Sequence, residues 1–346
     1  MKILHSDAHR AHIVGQVFDM GGVRESRDAP ERVDLLLKAA QRHGEVRGPS
    51  KDHGSAPLAA VHSPEYLDFL TVAFDEWTKL KPRGEKLFGH VFPVRSKNAG
   101  YPTSIIGRAG YHMHDQLAPI GPGTWRAVKA SANLAADAAH HVLNGDPVVY
   151  ALCRPSGYHA SRDMGGGATY LNNAAIAAQV LRGRCARVAL IDVDVHHGNG
   201  TQEIFYHRDD VLFISLHRDP IDYHPYFFGH ACERGEGAGL GYTLNLPLPA
   251  GADDDAYLAA LDAAIKRIQL FSPEALVVSL GLDGHKDDPS QGLSLTYAGF
   301  ERIGAALAGL NLPTVLAQEG GYNLDHLAGS LDGFLTGFKA RHRPRG

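Results

Sequence analysis

A chain of 346 residues with 44% hydrophobic content can bury a large core, and its net charge is −4. With no basic tract beyond the short tail at Arg341–Arg345, read as a frayed end, it offers no nucleic-acid surface. No run of about 18 apolar residues is present to span a membrane, and the three scattered cysteines (Cys153, Cys185 and Cys232) form neither a zinc knuckle nor a disulfide framework. A reducing, cytoplasmic setting is the expectation.

In chain order, the N-terminal stretch carries His5, His9 and His12 and lacks the apolar core of a signal peptide. These histidines precede a Gly-rich loop and read as an adventitious cluster. A helix is expected over 30–42, with Pro30 in its first turn behind Asp28, and a second over 64–79. Residues 81–123 are rich in Gly and Pro and too long for an ordinary connection, which marks a functional or subunit-contact insertion. An alanine-rich helix over 124–143 leads to a strand over 148–153. Helix 172–182, strand 187–192, strand 211–216, helix 254–271, strand 275–280, helix 296–310, strand 313–318 and helix 324–338 complete the series. Strands separated by helices of this length imply right-handed βαβ units and a parallel sheet covered on both faces. With no repeat or linker, residues 1–346 read as one α/β domain.

The most informative stretch is Asp192-Val193-Asp194-Val195-His196-His197-Gly198-Asn199-Gly200, at the end of an apolar strand. Strand alternation would put Asp192, Asp194 and His196 on one face, and a buried strand has no structural use for this much charge. Four other strands also end in polar residues, where parallel sheets carry their chemistry. These are His159 after 148–153, Ser215 and His217 around the end of 211–216, Asp283 and His285 after 275–280, and Glu319-Gly320-Gly321-Tyr322 after 313–318. Two carboxylates and an imidazole (Asp194, Asp283 and His196) suit zinc or a similar divalent ion that activates water. His159 is the candidate proton carrier and Tyr322 the candidate donor to a developing oxyanion, which together describe amide or ester hydrolysis. His197 reads as packing, and Gly165-Gly166-Gly167 as a turn rather than a phosphate cradle.

Taken together, Asp-x-Asp-x-His-His-Gly-x-Gly, the Gly-x-His-Ala loop, Ser-Leu-His, Leu-Gly-x-Asp and Glu-Gly-Gly-Tyr resemble the motif set of histone deacetylase-like zinc amidohydrolases. Phe92-Pro93-Val94-Arg95, Cys153-Arg154-Pro155, Gly198-Asn199-Gly200-Thr201-Gln202 and Phe205-Tyr206 bring the chain nearest the bacterial acetylpolyamine amidohydrolase branch. The resemblance implies the arginase/deacetylase fold, a three-layer α/β/α sandwich around a mainly parallel eight-stranded sheet. It places zinc, or ferrous iron in the cell, on Asp194, His196 and Asp283, with His159 as general base and acid and Tyr322 polarising the carbonyl. A structural potassium ion would sit at Asp192, Asp194, His196, Ser215 and Leu216, and a second monovalent site at Phe205, Arg208, Val211 and Tyr242. Residues 81–123 correspond to a segment that pairs subunits, which implies a homodimer.

The departures from the pattern bear on the substrate. Tyr158 stands where the family has a second catalytic histidine. Its phenol is expected to hold Asp192 and the reactive water without carrying positive charge, so that activity rests on His159 with a changed pH profile. A weakly active or non-catalytic acyl-amine-binding relative is the alternative. Ala168 and His224 occupy positions usually held by aromatic rings, which should widen the channel. The acidic mouth positions become Val17 and Ile106, with Asp19 able to compensate, Lys286 repelling a polycation, and His285 near the substrate. The expected activity is zinc-dependent hydrolysis of a small N-acylated amine, bulkier or less cationic than an acetylpolyamine. Acetylpolyamine deacetylation proper and arginase-type ureohydrolysis are the alternatives.

Overall fold

The computed structural model describes residues 1–48, 50–94 and 100–343; Arg95 and the end of the basic tail lie outside the described residues. The strands in chain order are β1 (Lys2–Leu4), β2 (Gln16–Asp19), β3 (Gly22–Glu25), β4 (Glu45–Arg47), β5 (Val148–Ala151), β6 (Val188–Asp192), β7 (Val211–Arg218), β8 (Thr243–Leu248), β9 (Ala275–Leu280) and β10 (Thr314–Gln318). Eight of them form one sheet in the order β4-β1-β5-β10-β9-β6-β7-β8, and every pairing in it is parallel. β2 and β3 make a separate antiparallel hairpin.

The helices are α1 (Glu31–Ala40), α2 (Ala56–Ala59), α3 (Pro64–Thr78), α4 (Ile105–His112), α5 (Thr124–Leu143), α6 (Asn173–Leu181), α7 (Asn199–Phe205), α8 (Asp254–Phe271), α9 (Tyr297–Ala308) and α10 (Leu327–Arg341). Alternate residues of each central strand feed two separate cores. Val188 and Leu190 pack in one core with α3, α5 and α6, whereas Ala189 and Ile191 pack in the other with α1, α8, α9 and α10. This two-sided burial explains why these strands are continuous apolar runs, and it makes the three layers. Among the described residues no helix is long and apolar enough to cross a membrane.

All five expected strands are present. Strands β1, β2, β3, β4 and β8 come in addition to these: β1 to β4 are only three or four residues long, and β8 is a half-buried edge interrupted by Pro247. Helices α2, α4 and α7 were also missed. Helix α4 lies inside 81–123, so that segment is partly ordered structure packed on α3 rather than an irregular connection.

Helices α9 and α10 approach closely because small residues line their contact. A Cβ on Gly337 would lie 1.9 Å from the Glu301 carbonyl oxygen, and one on Gly304 would lie 2.1 Å from that of Phe334. Substituting Gly337→Ala should therefore force the helices apart. The expected loss is about 1–3 kcal/mol, outweighing the gain in helix propensity, and is read as a lowered urea midpoint.

Candidate active site and metal centre

The polar residues that close β5, β10, β9, β6 and β7 meet at the carboxyl end of the sheet, at its centre. Strand β6 stops at Asp192, so Asp194 and His196 reach the site through a turn and not by the strand alternation expected from sequence. Asp194, His196 and Asp283 each offer a ligand atom, and the three atoms lie within 4.8 Å of one another. His196 Nδ1 is 3.2 Å from Asp194 Oδ1 and 3.3 Å from Asp283 Oδ2.

The remaining lone pairs of these carboxylates are held by the fold. Asp194 Oδ1 accepts from the His196 N–H (3.0 Å) and the Tyr158 hydroxyl (2.7 Å), and Oδ2 accepts from the Gly320 N–H (2.8 Å). Asp283 Oδ1 accepts from the Val195 N–H (3.1 Å), while its buried Oδ2 has no hydrogen-bond partner. Glycine is required at two positions here. A Cβ on Gly281 would lie 2.1 Å from Asp194 Oδ2, and one on Gly320 would lie 2.2 Å from Asp283 Oδ2.

Electrostatics also fit a cation. Burial and the charge of Asp194 push the Asp283 carboxyl up to about 7. Burial opposes charge on His196, yet the adjacent carboxylates of Asp194 and Asp283 raise it to about 10. An orphaned buried carboxylate oxygen beside an imidazole nitrogen that faces two carboxylates suits a divalent ion, for which protons compete at the same lone pairs.

His159 is buried in the loop after β5, and its Nδ1 pairs with Asn199 Oδ1 at 2.6 Å. Because an amide oxygen only accepts, Nδ1 carries the proton and Nε2 keeps a lone pair. Burial, with His224 and His196 nearby, pushes this imidazole well below its usual range, so the ring is neutral. The ring packs edge-on to His224 at 4.9 Å and against Tyr158 at 4.1 Å.

The Tyr158 phenol donates to Asp194 and not, as expected from sequence, to Asp192. Burial, together with Asp194 and Asp283, pushes it well up, so it stays a protonated donor. Tyr322 is likewise held protonated by burial and the charge of Asp283. Its loop is fixed by the Tyr322 and Asn323 N–H groups donating to Asp288 Oδ2 (2.8 and 3.0 Å), and the Arg32 guanidinium lies 4.8 Å from its ring centroid.

Beside this cluster Asp192 accepts from the Asp194 N–H, the Gly198 N–H and the Ser215 hydroxyl, at 3.1, 2.9 and 3.0 Å. Asp192 and Ser215 are paired across β6 and β7, with Leu216 next along the strand. At the second suggested monovalent position the Arg208 side chain binds both oxygens of Asp210 at 2.8 Å and lies over the Phe205 ring.

A cavity of about 830 Å³ opens next to His159, with Asn199 and His224 on that side and Tyr206, Tyr226, Phe227 and Phe228 among its aromatic walls. Of the five positions read from sequence as substrate-facing, only His224 lines it. Ala168 sits at a positive φ of 63° beside Gly167. Asp19 closes β2 at the hairpin, where Val17 is buried rather than at a mouth, and Ile106 is exposed on α4. His285 packs its ring against His326 and Tyr297 at 4.7 and 5.0 Å. Both ring nitrogens of His217 are engaged, by the Ser215 hydroxyl and the Gly229 carbonyl. His197 is buried against His217 and Phe213.

The sequence reading assigned no role to Asn199, Glu319, Asp288 or the group Asp28, Arg32 and Arg154. Glu319 accepts from the Gly157 N–H (2.7 Å) and the Ser279 hydroxyl (2.9 Å), tying the His159 loop to β9 and β10. Arg154 donates to Asp28, and Arg32 donates to Asp28 and to the carbonyls of Glu319 and Gly321. The available signal was position: Asn199, Glu319 and Arg154 all lie inside the quoted motifs.

Comparison with known proteins agrees with this geometry. A family model described as the histone deacetylase domain matches residues 26–338. The chain is 46% identical to an acetylpolyamine amidohydrolase of Burkholderia pseudomallei, covering 93% of this chain and 94% of that protein. It is 43% identical to acetylpolyamine amidohydrolase 1 of Pseudomonas aeruginosa, covering 99% and 100%. A crystal structure of acetylpolyamine aminohydrolase from Burkholderia pseudomallei superimposes with a TM-score of 0.95 at 43% identity, covering 99% of this chain and 100% of that one. The fold, the meeting of motif residues and these matches lead to one conclusion: the chain belongs to the histone deacetylase family.

Proposed function

We propose that this protein is a metal-dependent, deacetylase-like amidohydrolase that cleaves the amide bond of a small N-acylated amine. The observation that carries the reading is the juxtaposition of Asp194, His196 and Asp283, with an unpartnered carboxylate oxygen, beside a neutral His159. Zinc held by Asp194, His196 and Asp283 would, when bound, acidify a water molecule and polarise the acyl oxygen. His159 takes the proton from that water at Nε2, since Nδ1 is committed to Asn199. Tyr322 donates a hydrogen bond to the oxygen that gains negative charge. His159 then returns the proton to the departing amine nitrogen. Tyr158 orients Asp194 by donating its phenolic hydrogen bond and transfers no proton, so one imidazole serves both transfers. A potassium ion at Asp192, Ser215 and Leu216 would further neutralise the buried carboxylates.

The aromatic cavity beside His224 supports an amide with an apolar or bulky portion. Acetylpolyamines are the second reading. The named relatives favour it, as do Asp115 and Glu233 on the cavity wall, which could receive distant ammonium groups. Residues 81–123 are assigned to subunit pairing, supported by the exposed Val91, Phe92 and Val94.

Incubating the purified enzyme with a panel of acetylated and longer-acyl amides, before and after chelation, tests the reading. Hydrolysis that is lost on chelation and restored by zinc is expected; turnover indifferent to chelation removes the metal from the reaction. His159→Ala should cut kcat by about 10²–10⁴-fold with metal content unchanged, and full turnover in that variant would dismiss His159 as the base. Because His159 works as a neutral base and its pKa is depressed, the acid limb of kcat/KM should fall below the ordinary histidine value of 6.5. Replacing Asn199→Asp puts a carboxylate on Nδ1, favours the charged ring, and should move that limb up by about one to three pH units. A pH–rate profile of both proteins reads this directly.

A further inference from the structure

A second group of metal-ligating side chains lies away from the active site. His5, Asp7 and His9 each offer one ligand atom, and these lie within 4.8 Å of one another. His5 follows β1, while Asp7 and His9 sit on the 3-10 turn Asp7–Ala11. His9 is only 3% exposed, yet both of its ring nitrogens are buried without a hydrogen-bond partner, as is His5 Nε2. Buried polar atoms are nearly always satisfied, so three orphaned imidazole nitrogens in one place call for a ligand. Burial and the nearby Arg154 lower His9 to about 4, which keeps its lone pair available.

We propose that His5, Asp7 and His9 form a second metal site, for a first-row divalent transition ion such as zinc, with open coordination positions toward solvent. His5 Nε2 already lies 3.8 Å from Asp7 Oδ1. Bonds of about 2.0–2.2 Å set ligand atoms on one ion roughly 3.3–3.5 Å apart. Asp7, whose side chain is 82% exposed, closes the remaining gap by giving up its longer 3.7 Å contact with Arg10 Nε. The neighbouring cations do not block the site, because Arg10 is paired with Asp34 and Arg154 with Asp28. The other outlying cluster, His285, Asp287 and His326, is a poorer cage. Its imidazoles are stacked face to face, and both Nδ1 atoms are engaged, by the Asp287 N–H and the Tyr297 hydroxyl. An ion on His5, Asp7 and His9 would brace the turn whose His9 carbonyl accepts from Arg154 at 2.8 Å, just ahead of the His159 loop.

The test is zinc stoichiometry and affinity of the full chain, stripped of metal and titrated with zinc alone, in wild type, His5→Gln and Asp7→Asn. Circular dichroism verifies that each variant is folded, and both changes spare the buried His9. The site predicts that both variants bind one equivalent of zinc at least about tenfold more weakly than wild type, with amide hydrolysis unchanged. If neither variant loses or weakens an equivalent relative to wild type, the proposal is wrong. Because the readout is the difference between variant and wild type, it does not depend on whether Asp194, His196 and Asp283 take zinc.

Discussion

Four carboxylates buried side by side constrain everything else in this molecule. Asp192, Asp194, Asp283 and Glu319 are all fully excluded from solvent at the carboxyl end of one parallel sheet. Charge in such a setting is tolerated only if it is bonded, protonated or matched by a cation. The fold uses the first two means: main-chain N–H groups converge on Asp194 and Asp192, and burial raises Glu319 to about 8. The unpartnered Asp283 Oδ2 is what remains, and it faces the imidazole nitrogen of His196. In the proposed reading a divalent ion would complete this arrangement.

The same constraint explains the glycines and the tyrosine. The main chain packs against the carboxylates only where no Cβ intervenes, which fixes Gly281 and Gly320, the latter donating its N–H to Asp194. Tyr158 supplies a hydroxyl to Asp194, a bond a phenol makes without adding charge. A histidine in its place would bring a titratable group into an environment already crowded with imidazoles, for His159, His196 and His224 lie within about 6 Å of each other by ring centre. In the proposed mechanism proton handling is thus concentrated in one ring, that of His159, oriented by the Asn199 amide.

Much of this was legible in the sequence because the central strands are buried on both faces and read as unbroken apolar runs. Their ends announced Asp194, His196, Asp283, His159 and Tyr322 by the abrupt change to polar residues. What could not be read depends on distance in the sequence. The short outer strands gain their form from neighbours, as β1 does from β4 and β5, and not from their own composition. Tyr158 was assigned the wrong acceptor because Asp192 and Asp194 differ by one turn of a loop that strand periodicity does not describe. The cavity walls lay outside the reach of the motifs for the same reason. Tyr226, Phe227 and Phe228 belong to an irregular segment after β7, whereas Ala168, His224 and Ile106 follow from matching positions along the chain, Asp19 from an unfixed loop and His285 from a strand end.

The buried Asp28, with Arg32 and Arg154 around it, ties together pieces that are far apart in the chain. Arg154 grips the carbonyls of His9 and His12, and Arg32 grips those of Glu319 and Gly321, nearly three hundred residues away (|i−j| of 287 and 289). Closing loops of that size is slow, and its entropy has to be met before the contacts repay it. The reactive centre is therefore complete only once the last strand has docked. Partly folded chains would hold these carboxylates in water as ordinary acids, so chemical competence reports the completion of folding itself.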